Sequence, residues 1–272
     1  MSNALAVSHG DFGRAALYDL DRPITTHAHR EGHLIFPVAG GQADVLICDT
    51  PVRCDETTAA AVSPWELHSF SPQGSGFMTL VLYIKPMWFL EHTGSSEFAL
   101  NFGSRELKLS DEIQKLVRKL SSMMISDSVD VMVESLLIEL TAKCYETSWV
   151  GRKRPCSTTQ LRNFSDFRVR RSQQLMKKYI YDHDGLDNLA SEVGLSRPHF
   201  FKLFKRQTGV TPNVYFNTLR SEQAIDDLMN TDKSVTDIAL DLGFASQASF
   251  TRFFSLNVGI APTDYRRVAR VS

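Results

Sequence analysis

Residues 235–265 read VTDIALDLGFASQASFTRFFSLNVGIAPTDY, and residues 186–215 read LDNLASEVGLSRPHFFKLFKRQTGVTPNVY. The second stretch lays out the same plan as the first. Ala190 matches Ala239 and Gly194 matches Gly243 at an offset of 49. After one inserted residue the offset is 50, and Phe200 matches Phe250, Lys202 matches Arg252, Phe204 matches Phe254, Gly209 matches Gly259, Pro212 matches Pro262 and Tyr215 matches Tyr265. A small alanine lets two helices cross closely, and a glycine in the turn can take positive φ. Phenylalanines four residues apart, Phe200/Phe204 and Phe250/Phe254, lock the second helix of each copy to the first. This is a helix-turn-helix plan, which leaves the outer face of the second helix free to enter a DNA groove. Two copies joined by one helix carry far more weight than a single Ala-x-x-x-Gly match.

Around the repeat, periodicity and breakers predict helices over 167–181, 186–193, 197–208, 212–230, 235–242, 247–258 and 262–270. Pro212 and Pro262 suit a first helical turn, and Gly194, Gly209, Gly243 and Gly259 follow helix ends. The basic, polar run GRKRPCSTTQLRNFS from Gly151 has no periodicity and reads as a linker. Before it, Ile113, Leu116, Val117 and Leu120 share one helical face, as do Val133, Leu136, Leu137, Leu140 and Cys144. The two helices predict a hairpin turning at 126–128, whose apolar stripe serves either a dimer contact or packing on the rest of the chain. Between His33 and Lys85, LIFPV, ADVLI, TAAAV and FMTLVLYIK alternate with turn residues and read as short strands of a barrel or sandwich.

The chain of 272 residues carries 30 Lys+Arg against 31 Asp+Glu, a net charge of −1. That balance by itself argues against a nucleic-acid protein. The sign is unevenly spread, however. Residues 160–272 hold 16 basic and 12 acidic side chains, net +4, so the remainder is net −5. No run approaches the ~18 apolar residues of a membrane span. The N-terminal residues lack the pattern of a signal peptide. Cys48, Cys54, Cys144 and Cys156 show no CxxC spacing, so a reduced cytoplasmic chain is expected.

The segment 166–272, and above all DIALDLGFASQASFTRFFSLNVGIAPTDYRR, resembles the DNA-binding domain of the AraC/XylS family of bacterial transcription regulators. The resemblance implies helix-turn-helix units at 186–208 and 235–258, whose recognition helices enter successive major grooves about 34 Å apart. It implies groove-facing Arg197, Pro198, Phe201 and Lys202 in the first unit, with Lys205 and Arg206 near phosphates. In the second unit it implies Ser246, Gln247, Ser249 and Arg252. Arginine can grip guanine and glutamine adenine, whereas Phe201 can only touch apolar edges, so Arg252 and Gln247 are expected to discriminate most. Where family members often carry basic residues after the second unit's core phenylalanine, this chain has Ser255 and Leu256.

His27-Ala28-His29, then His33, and far along the chain Pro64-Trp65-Glu66-Leu67-His68, resemble the ligand pattern of a cupin barrel. Such a barrel is the usual effector sensor of these regulators. His33 stands where a metal cupin usually has glutamate. Three readings stay open for His27, His29, His33 and His68: effector binding without metal, a four-nitrogen divalent metal site for Zn, Ni, Cu or Fe, or plain packing. Trp65, Phe36 and Tyr83 are candidate pocket residues.

The expected architecture is therefore α+β and multidomain. A cupin-like sensor occupies 1–108, a helical dimerisation hairpin 109–148, a linker 149–165 and an all-α double helix-turn-helix domain 166–272. The expected function is effector-controlled, sequence-specific regulation of transcription. Family habit implies an activator, a homodimer, operator DNA and RNA polymerase as partners, no membrane and no enzymatic activity. The alternatives are a metal-dependent cupin enzyme fused to a DNA-binding domain, and a metal-sensing regulator.

Overall fold

The computed structural model describes residues 2–74, 76–93, 100–126, 131–153, 166–182, 186 and 188–271. Most of the linker expected at 149–165, Cys156 within it, and the hairpin turn at 127–128 lie outside the described residues.

The N-terminal half is built on β1 (Asn3–Gly10), β2 (Gly13–Leu20), β3 (Ile24–His27), β4 (Gly32–Ala39), β5 (Gln42–Ile47), β6 (Thr50–Cys54), β7 (Thr58–Val62), β8 (His68–Gln73), β9 (Phe77–Ile84) and β10 (Glu106–Lys108). They form a seven-stranded sheet of order β10-β7-β4-β9-β2-β1-β11 and a four-stranded sheet of order β3-β8-β5-β6, with β11 (Ala269–Val271) arriving from the other end of the chain. Strands β1 and β2 precede the stretch where strands were expected.

Alternation along the larger sheet explains its composition. On β9, Phe77, Val81 and Tyr83 point into the core shared with the smaller sheet, while Leu80, Leu82 and Ile84 point to a second core. On β7, Ala60 and Val62 face one way and Ala59 and Ala61 the other. A sheet covered on both faces favours apolar side chains at successive positions, so FMTLVLYI does not alternate; its polar Thr79 is buried with its hydroxyl donating to the Phe36 carbonyl.

The outer face of that sheet is covered by α1 (Pro86–Thr93), α2 (Asp111–Ser126) and α3 (Val131–Ser148). The stripe of Ile113, Leu116, Val117 and Leu120, with Leu136, Leu137, Leu140 and Cys144, is buried there. Of the two roles open to that stripe, the structure shows packing on the barrel. Phe36 belongs to this outer core as well, which removes it from the candidate pocket residues.

The C-terminal half comprises α4 (Phe167–Tyr179), α5 (Leu189–Glu192), α6 (Arg197–Thr208), α7 (Pro212–Asn230), α8 (Val235–Asp241), α9 (Gln247–Val258) and α10 (Pro262–Val268). Helices α6, α7 and α9 have the predicted bounds, because Pro212, Gly209 and Gly259 stop and start them. Gly194 and Gly243 adopt φ of 71° and 74° in the turns between the paired helices, as the repeat predicted. The last expected helix is shorter than predicted. It ends at Val268, and residues 269–271 form β11, which pairs parallel with β1 through Val7 and Ala269. The two halves are therefore joined in one sheet.

Candidate nucleic-acid interface and histidine cluster

In the first unit Phe200, Leu203 and Phe204 bury the inner face of α6. This turns Arg197, Pro198, Lys202, Lys205 and Arg206 to solvent. Phe201 is half-buried, with the Arg197 guanidinium 5.3 Å from its ring centre. Phe201 packs partly against the core of this unit. Ser196 stands at the N-cap with extended backbone, but its side chain makes no capping hydrogen bond.

In the second unit Phe250, Phe254 and Val258 bury the inner face of α9, and Ser246, Gln247, Ser249 and Arg252 are exposed. Here the cap is complete. Ser246 accepts from the Ser249 amide and Ser249 reaches back to the Ser246 backbone, so both hydroxyls hold the helix start. Gln247 accepts at Oε1 from Thr236 Oγ1 at 2.8 Å. Arg252 forms no ion pair among the described residues and remains the long cationic side chain of this face.

Sequence spacing also placed four histidines together, and the fold brings their rings into one cluster. His27 on β3 pairs in register with His68 on β8, and their ring centres are 4.2 Å apart. His33 lies 4.4 Å from His68, and His29 lies 4.8 Å from His27 and 5.1 Å from His33. The Nδ1 of His27 is 2.6 Å from the Thr25 carbonyl, and that of His68 is 2.8 Å from the Glu66 carbonyl. A carbonyl only accepts, so both Nδ1 atoms carry the proton and donate, which leaves each Nε2 a lone pair. Nε2 of His29, Nε2 of His68 and Nδ1 of His33 are buried without a hydrogen-bond partner.

Burial is the main reason these imidazoles resist protonation. It pushes His27 down to about 4, and takes His29, His33 and His68 well below the ordinary histidine range. His27, His29 and His68 each offer one nitrogen within 4.8 Å of the others, while His33 stays outside that set. Neutral imidazoles with outward Nδ1–H groups held by carbonyls, and with buried lone pairs unmet, fit a borderline transition metal.

The segment carrying His27 and His29 also touches the helical half. The Thr25 hydroxyl donates to the Leu256 carbonyl of α9 at 3.0 Å. The Thr218 hydroxyl of α7 donates to the Ala28 carbonyl at 2.9 Å, and Arg30 donates to Glu222 at 2.8 Å. Trp65, held at φ 65°, donates its amide to the His29 carbonyl at 2.8 Å. Its ring stacks on Tyr215 of α7 at 4.6 Å and 8°. Trp65 is thus an inter-half contact rather than a pocket wall, whereas Tyr83 lies 5.0 Å from His29 and 5.2 Å from His33.

Sequence reading missed a second junction. The Tyr265 hydroxyl of α10 is 2.8 Å from His9 Nε2 and accepts from Arg14 Nη1 at 3.2 Å. The available signal was Arg14 itself, the one cation of the strand GRAALYDL, followed directly by the small apolar Ala15 and Ala16.

Residues 189–268 match a family model described as a helix-turn-helix domain. Over 241 residues the chain is 25% identical to an uncharacterized HTH-type transcriptional regulator of Staphylococcus aureus, covering 86% of this chain but 31% of that one. The chain therefore spans about a third of the length of the first curated relatives it matches. It is 26% identical over 250 residues to the probable transcriptional regulator LumQ of Photobacterium leiognathi, covering 91% of this chain and 94% of LumQ. A crystal structure of an apo ToxT variant from Vibrio cholerae has a TM-score of 0.58 at 15% identity, covering 93% of this chain and 96% of that one. That likeness establishes the fold, a β-rich N-terminal part followed by a helical one. Another ToxT structure, with a TM-score of 0.55, is bound to an unsaturated fatty acid.

Proposed function

We propose, from the premise that this chain belongs to the AraC-type helix-turn-helix regulators, that it binds specific operator DNA and regulates transcription under the control of a small-molecule effector. One observation carries the reading. Two helix-turn-helix units, joined by α7, each present the outer face of their second helix to solvent with cationic or amide side chains on it. In this reading Arg197, Pro198, Phe201, Lys202, Gln247 and Arg252 face base edges, and Lys205 and Arg206 grip phosphates. Ser246 and Ser249 position α9 more than they read bases. Residues 1–108 hold the effector, 109–148 brace the barrel, and 166–272 bind DNA, with no enzymatic step.

Contacts of the histidine segment with α7 and α9 give an effector a route to the DNA-binding half. A ligand shifts that arrangement only by binding its two states unequally. Homodimerisation and recruitment of RNA polymerase as an activator complete the proposal. Ile125 and Met132, 62% and 45% exposed at the end of α2 and the start of α3, are apolar positions that a second copy would cover.

Fluorescence anisotropy of the full chain on operator and random DNA tests the reading. Lys205→Gln with Arg206→Gln is expected to weaken both complexes alike and to flatten the salt dependence by ~2 in log–log slope. Wild-type protein that binds no DNA at low salt would end it.

A second reading has its own observation, the unmet nitrogens of His29 and His68. His27, His29 and His68 would hold a divalent transition metal, which when bound supplies a positive charge beside the inter-half contacts. Metal content of the purified protein near one per chain, lost in His68→Ala, supports a metal-responsive regulator. Turnover of a substrate would instead favour a fused cupin enzyme, and absence of metal after reconstitution rejects both.

A further inference from the structure

A cleft of about 1000 Å³ opens between β1 and β2, the α2–α3 pair and α7. That volume is at the upper end of the ~300–1000 Å³ typical of small-molecule sites. Its barrel wall carries Arg14, which is only 7% exposed. The guanidinium lies 3.6 Å over the Tyr83 ring and donates from Nη1 to the Tyr265 hydroxyl. Its Nε is buried with no partner. Among the described residues no carboxylate comes within ion-pairing distance of Arg14.

A guanidinium keeps its charge at any pH a protein survives. Burying that charge is costly unless an anion answers it, and the two tyrosine rings return only part of the cost. The acids of the cleft are engaged elsewhere or set apart. Glu222 is held by Arg30, Glu134 lies 3.8 Å from His92, and Asp226 accepts from Asn230. Asp11 and Glu31 also line the cleft, and their charge disfavours a ligand with more than one negative charge. His9 and Lys85 share the wall with Arg14, while the helical walls contribute Leu120, Met123, Met124, Leu137, Ile225 and Met229. Methionines adapt their shape to varied apolar partners.

We propose that this cleft binds an amphipathic monocarboxylate, with its head on the Arg14 guanidinium and its apolar body against the methionines of α2 and α7. Arginine and carboxylate match as a planar two-bond pair. Because Arg14 also holds Tyr265 of α10, a bound carboxylate acts on the junction that ties the second helix-turn-helix unit to the barrel. That consequence for DNA rests on the reading of the chain as a regulator, whereas the binding itself does not.

Calorimetric titration of the full chain with sodium decanoate, decanol and sodium acetate tests the site. Decanoate is expected to bind one to one, decanol at least ~10-fold more weakly because it loses the hydrogen bonds to a charged group, and acetate at least ~10-fold more weakly because it lacks the apolar body. Arg14→Met should weaken decanoate at least ~10-fold while leaving decanol unchanged, and Arg14→Lys should recover part of the loss. Should Arg14→Met fail to fold, the wild-type decanoate-to-decanol ratio and Arg14→Lys decide. No decanoate binding at millimolar concentration, equal binding of decanol, or unchanged binding by folded Arg14→Met overturns the site. DNA anisotropy separates the two proposals. Decanoate that binds without altering DNA affinity keeps the site and removes its effector role, and DNA binding without decanoate binding does the reverse.

Discussion

The first helix-turn-helix unit presents Arg197, Lys202, Lys205 and Arg206 along α6, whereas α9 of the second unit has Arg252 as its one lysine or arginine. Both hide the same pair of phenylalanines, so the duplicated part is the core and the divergent part is the surface. Their attachments diverge as well. The first unit meets the barrel through the Trp65–Tyr215 stack and the polar contacts of α7. The second shares an apolar core with the barrel and adds β11 to its sheet. A repeat can therefore keep one scaffold while one copy carries most of the exposed positive charge of the second helices and the other carries the mechanical link.

The asymmetry can be broken at its core first. Phe254→Ala and Phe204→Ala should each cost about 3–5 kcal/mol, since both rings are fully buried. All three tryptophans, Trp65, Trp88 and Trp149, lie in the N-terminal half. Tryptophan-detected urea unfolding should shift further for Phe254→Ala, whose core runs into the barrel. Equal shifts would erase the distinction between the attachments.

A smaller effect concerns reading. Arg252→Ala should weaken operator binding by ~1–3 kcal/mol more than random-DNA binding. An equal loss on both would make Arg252 a phosphate contact and bring the second unit closer to the first.

Acid should sharpen the contrast next. Burial holds the His9 imidazole down to about 3, against 6.5 when free. Below pH 6.5 the released histidine takes a proton that the buried one refuses, so the His9–Tyr265 junction loses stability as pH falls toward 3. The loss is at most ~1.4 kcal/mol per unit. Hydrogen exchange at β11, corrected for intrinsic rates, should rise between pH 7 and 5.5 relative to α7. His9→Phe should abolish that rise.

Capping gives the smallest difference. Ser246→Ala should cost about 1 kcal/mol, because its hydroxyl holds the Ser249 amide, and Ser196→Ala only a few tenths. Thermal unfolding of the two variants measures it.

Much of this was legible from particular residues. The Gly194/Gly243 and Phe200/Phe250 matches placed both units, and Pro212 with Gly209 gave the bounds of α6 and α7, since these residues constrain the backbone locally. The HxH spacing and the distant His68 announced a histidine cluster. Its membership needed the fold, because strand register decides which ring nitrogens converge, and His33 falls outside the converging three. Strands β1 and β2 were missed because small residues such as Ala15 and Ala16 carry weak strand preference until a sheet packs on both sides of them. Residues 269 and 270 continue a helical pattern in the sequence, yet they pair with the edge of β1 as part of β11.

By itself, the sequence determined the duplicated helical units, the strand-rich half before them and the charge split between the two, because these follow from local periodicity, turn chemistry and composition. Only the tertiary structure decided that the α2–α3 stripe faces the barrel and that Trp65 serves the junction between halves. It also decided that Arg14 is buried at the wall of a cleft with no carboxylate of the described residues in ion-pairing distance. Each of those depends on which distant side chains share one volume, and no local pattern specifies that.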